Sequence, residues 1–164
     1  MKEAQTEFAG FYADSRDECM RVVLASTGDP VLAEELVAEA FARAWSSWPS
    51  VRRHPVPRAW VIRTALNVRV SRWRRRRREV EYTGQDAAAA AEAAGVDAAL
   101  MRVLMRLPVR QRQVVALRVF LDLDTERTAQ VLGIAAGTVK VHLFRAVAAL
   151  REQLITTHGR EADQ

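Results

Sequence analysis

The stretch "TERTAQVLGIAAGTVKVHLFRAVAAL", residues 125–150, decides how this chain folds. Its apolar residues recur at helical spacing, and Gly133 interrupts them. The spacing predicts a helix from about Thr125 to Leu132, a tight turn at Gly133, and a second helix from about Gly137 to Leu154. Ala129 is small where two crossed helices must approach, and Ile134, Val139, Leu143 and Val147 are spaced to hold the second helix on the first. That leaves Thr138, Lys140, Val141, His142, Phe144 and Arg145 around the outer side. A helix presented in this way can lie in a DNA major groove with its early residues on base edges. The plainer alternative is a helical hairpin with a basic surface.

Upstream, "DAALMRVLMRL" predicts a helix that Pro108 ends or restarts. "PVRQRQVVALRVFL" predicts another, with Val114, Leu117, Val119 and Leu121 available to a core. Before these lies "VEYTGQDAAAAAEAAGVD", residues 80–97, which is acidic and almost free of large apolar side chains. Alanine buries too little surface to dock a helix firmly, so this segment is expected to be a flexible linker.

The N-terminal part is helical as well. A first helix is expected from about Glu7 to Ser26, ending before Gly28. In "DPVLAEELVAEAFARAWSSWPS", Asp29 can cap and Pro30 suits the first helical position. Leu32, Leu36, Ala40, Phe41, Ala44, Trp45 and Trp48 form an apolar stripe, Pro49 is the expected stop, and Glu34, Glu35, Ala38, Glu39 and Arg43 lie on the other face. "PSVRRHPVP" is a proline-broken loop. A long helix from about Arg58 to Arg78 follows, with Ile62, Leu66, Val70 and Trp73 on one face and Arg63, Asn67, Ser71 and Arg74 on another.

Charge is sharply segregated. Residues 1–39 carry 9 acids and 3 bases, residues 40–78 carry 12 arginines and no acid, and residues 79–101 carry 5 acids and no base. The formal net charge of +5 therefore hides a polyanion-binding zone between acidic segments. Its densest part is "SRWRRRRREVEY", in which Arg72, Arg74, Arg75, Arg76, Arg77 and Arg78 form a run. Such a run releases counterions from nucleic acid and binds without reading sequence, with Trp73 fixing the helix beneath it. A solvated helix end or nonspecific RNA binding is the alternative.

Several classes are disfavoured. No run of 18 apolar residues offers a membrane span, and the acidic start has no export signal, so a cytoplasmic location is expected. Cys19 is alone, which suits a reducing compartment and a small buried residue. The three histidines are scattered, and there is no metal-ligand spacing, phosphate-binding glycine loop or nucleophile motif. Neither an enzyme nor a cofactor or metal is expected.

Residues 107–150, "LPVRQRQVVALRVFLDLDTERTAQVLGIAAGTVKVHLFRAVAAL", resemble the minus-thirty-five-binding region of bacterial sigma factors of the extracytoplasmic-function (ECF) group. Residues 28–48, "GDPVLAEELVAEAFARAWSSW", resemble the same group's region that binds core RNA polymerase. The resemblance implies that Glu34, Glu35, Ala38 and Glu39 dock on the polymerase; Glu35 keeps the family's charge, while Ala38 replaces a glutamine. It implies minus-ten binding by Arg63, Asn67, Ser71 and the arginine run, with Ser71 standing where relatives often have aspartate. "PSVRRHPVP" falls where such proteins capture a flipped base; Trp60 is read as core and His54 as a loop residue. In the recognition helix, Val141 replaces a serine, His142 an arginine, and Ala135 a capping serine, which implies an altered promoter preference. The acidic linker resembles the segment that threads the polymerase toward the RNA exit path, and simple flexible spacing is the alternative.

The expectation is an all-α protein of two small helical domains joined by a flexible acidic, alanine-rich linker. These are a region 2-like domain at 1–79, the linker at 80–97, a region 4-like helix-turn-helix domain at 98–157 and a disordered tail at 158–164. The implied partners are core RNA polymerase, promoter DNA and, as a further candidate, an anti-sigma protein; outside the holoenzyme a monomer is expected. A stand-alone helix-turn-helix regulator and a nonspecific RNA-binding protein are the rival readings.

Overall fold

A computed structural model describes residues 1–76 and 84–161, and for 69–76, 84–88 and 157–161 it describes the backbone alone. Within those residues the chain is helical and has no strand. The order is α1 (Lys2–Thr27), α2 (Pro30–Ser46), α3 (Trp48–Val51), α4 (Pro57–Arg76), α5 (Gly84–Ala93), α6 (Ala98–Met105), α7 (Val109–Val119), α8 (Thr125–Leu132) and α9 (Ala136–Glu161).

Local signals set most of the boundaries. α1 ends at Gly28, whose φ of 68° is left-handed and whose N–H bonds back to the Leu24 carbonyl. Asp29 caps α2 by accepting from the Leu32 N–H at 3.0 Å. Asp97 caps α6 through Leu100 at 2.9 Å, and Asp124 caps α8 through Arg127 at 2.8 Å. Asp124→Ala is expected to lower stability by about 1 kcal/mol, read as a lower urea midpoint at unchanged slope. Pro49 does not stop α2, which ends at Ser46; it sits in the first turn of α3, where a missing N–H costs nothing.

α1, α2 and α4 pack on one another as the first unit. Val22, Val23, Leu24, Leu32, Leu36, Val51, Val61 and Ile62 are among its fully buried side chains. An aromatic group closes the top: Trp48 lies 5.1 Å from both Phe8 and Phe11, and Phe8 also lies 5.1 Å from Trp45. Trp48 donates its indole N–H to Glu7, which also pairs with Arg52 at 3.0 Å. Trp45, expected in the apolar stripe, is half on the surface.

α7, α8 and α9 form the second unit with α6. Met101, Leu104, Val114, Leu117 and Val139 are buried there. Two expected core residues are not: Val119 is 63% exposed and Val147 lies on the surface. Ala146, fully buried, takes the place given to Val147, so α9 turns its small side toward α7 and α8.

The described part of the expected linker, residues 84–97, is docked, unlike the undocked segment expected; residues 80–83 lie outside the described residues. α5 packs against α6 and touches α1 and α2. Ala91 is fully buried, Val96 nearly so, and Arg21 donates to the Ala94 carbonyl at 2.9 Å. Alanine succeeds here because a neighbouring arginine satisfies the helix end while Val96 supplies the larger apolar contact. At the other end, α9 continues to Glu161, beyond His158 where a disordered tail was expected to begin; residues 162–164 lie outside the described residues.

The two units are also joined directly. α1 lies against α7, and α4 meets α8. Arg112 on α7 donates to the Ser26 carbonyl of α1 at 3.2 Å and to the Leu107 carbonyl of its own unit at 3.1 Å. Met105 sits over Gly28 so closely that a Cβ there would come within 2.8 Å of its sulfur.

Candidate nucleic-acid and polymerase interfaces

α8 and α9 meet at 102°, within the range of a helix-turn-helix. The turn depends on Gly133, with φ 65°, whose N–H bonds to the Ala129 carbonyl. Val139 is buried on the inner side of α9, and Ile134 and Leu143 pack against the same core. Thr138, Lys140, Val141, Phe144 and Arg145 all reach the surface, as the sequence pattern requires. Phe144 is 77% exposed, unusual for an aromatic ring with no partner to cover it. His142 is different: it is half-buried, and its Nδ1 is enclosed without a hydrogen-bond partner in the protein. The outer side therefore carries Lys140 and Arg145 as its cations, with His142 turned partly inward.

On α2, Glu34, Glu35 and Ala38 are exposed together. Glu39 is half-buried and accepts from Arg43 at 2.7 and 3.1 Å, one helical turn away. The acidic face is thus edged by one arginine of its own.

On α4, Arg63 and Asn67 are exposed one turn apart. They line a cavity of about 460 Å³ with His54, Val56, Trp60 and Thr64. A second hollow of about 600 Å³ runs from Trp60, Thr64 and Asn67 to Glu39, Arg43 and Ser46 of α2. Trp60 is half-buried, packs against the core as expected, and also lines both hollows. His54 is a loop residue, as expected: its Nδ1 lies 3.0 Å from the Val56 N–H and folds the ring over the turn. Arg58 anchors the start of α4 to α1 through Glu18 at 2.6 Å and Ser15 at 3.3 Å. The helix continues through Ser71, Arg72, Arg74, Arg75 and Arg76 as backbone. Their side chains, with those of Val70 and Trp73, and all of Arg77 and Arg78, lie outside the described residues.

Sequence reasoning missed the far wall of the first cavity. It is built by Asp124, Glu126, Arg127, Gln130 and Val131 at α8. The only signal was a polar face on α8, which reads equally well as solvent-exposed.

Among the described residues no group of three or more His, Cys, Asp or Glu side chains could hold a metal ion. No single described helix is long and apolar enough to cross a membrane. Cys19 is fully buried, and burial pushes its thiol up to about 12.

Two helical regions of this kind in this order define a class of transcription-initiation subunit. Residues 11–79 match the family Sigma-70 region 2, and residues 97–150 match Sigma-70, region 4. The chain belongs to the sigma-70 family, in its ECF group. It is 37% identical over 153 residues to the RNA polymerase sigma-E factor of Streptomyces coelicolor, covering 91% of this chain and 86% of that one. It is 34% identical over 140 residues to the ECF sigma factor SigL of Mycobacterium tuberculosis, covering 80% and 79%. Its fold matches that of the Bartonella quintana sigma factor RpoE, solved in complex with the anti-sigma factor NepR, at a TM-score of 0.72 and 22% identity over 90% of this chain and 96% of that one. CnrH, solved with the cytosolic domain of CnrY, matches at a TM-score of 0.63 and 21% identity over 93% and 90%. Membership carries the coarse function: a sigma factor joins RNA polymerase and directs promoter-dependent initiation. The paired regions set aside the regulator and RNA-binding readings.

Proposed function

We propose that three faces divide the work of initiation. The outward side of α9, through Thr138, Lys140, Val141, His142, Phe144 and Arg145, reads the minus-thirty-five element. Arg63, Asn67 and Ser71 bind minus-ten DNA, and Arg72, Arg74, Arg75, Arg76, Arg77 and Arg78 hold its phosphates. Glu34, Glu35, Ala38 and Glu39 dock on core polymerase. The observation that carries the reading is the setting of α9. A helix at 102° to its partner, with Val139 buried and Lys140, Val141 and Arg145 exposed, presents one face to a groove. Lys140 and Arg145 suit phosphate or guanine contacts, and Val141 suits a thymine methyl.

The nucleotidyl transfer belongs to the polymerase, so the chain acts as a regulatory subunit and needs no cofactor. Its place of action is the cytoplasm, on the chromosome. A protein of the same fold, RpoE, was solved with the anti-sigma factor NepR; a protein of that kind is the proposed regulator of this otherwise monomeric chain.

Co-elution with bacterial core polymerase, followed by transcription from a genomic DNA pool, tests the reading. Discrete start sites with a shared upstream sequence are the expected result. Glu34→Lys with Glu35→Lys is expected to weaken core binding by about tenfold or more and to leave minus-thirty-five duplex binding unchanged. Undiminished core binding would remove α2 from the proposal.

A further inference from the structure

We propose that the cavity lined by α4 and α8 is a binding site for a guanine mononucleotide. The site goes beyond the three faces above: Glu126, Arg127 and Gln130 on its far wall belong to none of them.

The cavity has the size and chemistry of a ligand site. Its volume of about 460 Å³ is in the range that encloses a small organic molecule, and it lies where two packed units meet. Val56, Ala59 and Val131 supply apolar lining, and a few polar side chains stand among them.

The charges on the two walls are unmatched opposites. Asp124 is already occupied: one carboxylate oxygen accepts from the Arg127 backbone N–H at 2.8 Å, and the other lies 3.9 Å from the Arg127 guanidinium. That leaves Arg63 on α4 and Glu126 on α8. Both are exposed, and neither makes an ion pair or a side-chain hydrogen bond with any described residue. A ligand that meets both carries an anion at one end and hydrogen-bond donors at the other. Trp60 lies one turn before Arg63 on the same wall, and the open part of its ring offers a surface on which a planar base stacks.

A nucleotide has its parts in this order: a phosphate for the guanidinium, a flat ring for the indole and a base edge for the carboxylate. The edge selects the base. Guanine presents two neighbouring donors, N1–H and the 2-amino group, and one carboxylate accepts from both. Adenine sets its amino donor beside a ring-nitrogen acceptor, which a carboxylate repels. Asn67 and Gln130, on opposite walls, offer amide N–H and C=O groups to the remaining edge atoms. An amino-acid zwitterion would satisfy the two charges and leave both amides idle.

The test is calorimetric titration of the full-length chain with GMP, with AMP and guanosine as comparison ligands. GMP is expected to saturate one site per chain and to bind about tenfold or more tightly than AMP. Glu126→Gln should remove that preference. Arg63→Gln should weaken GMP about tenfold and leave guanosine, which has no phosphate, within about twofold. Gln130→Trp fills the cavity from the far wall and should abolish GMP binding while core polymerase binding is unchanged. No saturable GMP binding, equal affinity for GMP and AMP, or GMP binding that survives Gln130→Trp would overturn the proposal.

Discussion

A Trp48→Ala chain is expected to lose about 3–5 kcal/mol of stability, and with it all promoter-directed activity at growth temperature. Trp48 is 4% exposed and forms the centre of the contact between α1 and the α2–α3 junction. Removing the indole opens a cavity against Phe8 and Phe11, which are too rigid to refill it. It also leaves Glu7 with Arg52 as its partner on that side. Chemical denaturation followed by tryptophan-independent circular dichroism gives the loss directly. Trp45→Ala is the control: its ring is 44% exposed, so a much smaller loss is expected, and equal losses would show that the aromatic group does not hold the unit together.

Changing Arg74, Arg75, Arg76, Arg77 and Arg78 together to glutamine is expected to weaken binding to every promoter by about a hundredfold or more at moderate salt. The salt dependence should flatten by about 0.9 in the log–log slope for each duplex phosphate contact removed. Phosphate contacts position a protein without reading bases, so the ranking of promoters should survive. Val141→Ser should do the opposite, reordering promoters with little change in salt slope, because a hydroxyl replaces an apolar contact at a base edge. Filter or fluorescence binding across a salt series distinguishes the two. If both substitutions act equally on all promoters, phosphate anchoring and base reading are not divided between α4 and α9.

Much of the helical order was legible because local chemistry set it. α8 runs from Thr125 to Leu132, the bounds expected from the apolar spacing and Gly133, and the structure adds Asp124 as its cap. The Asp29 cap was legible in the same way. What stayed hidden depends on neighbours. Periodicity places Val119 and Val147 on apolar stripes, but whether another helix covers that part of the stripe is a tertiary matter, and among the described residues none does. The docking of α5 was illegible because an alanine run carries no signal of its own. Arg21, more than seventy residues away, supplies the bond that ends it. For the candidate faces, exposure on α2, α4 and α9 was readable from spacing. The approach of α8 to α4 was not, since nothing local to either helix encodes the other.

Cys19 has a consequence for how oxidants meet this protein. It is the chain's single cysteine, and it is sealed in the core with its thiol held neutral by burial. Oxidants attack thiolates that they can reach, and the folded chain offers none. In the folded chain, thiol-directed oxidants therefore find no cysteine to attack until the core around α1 opens.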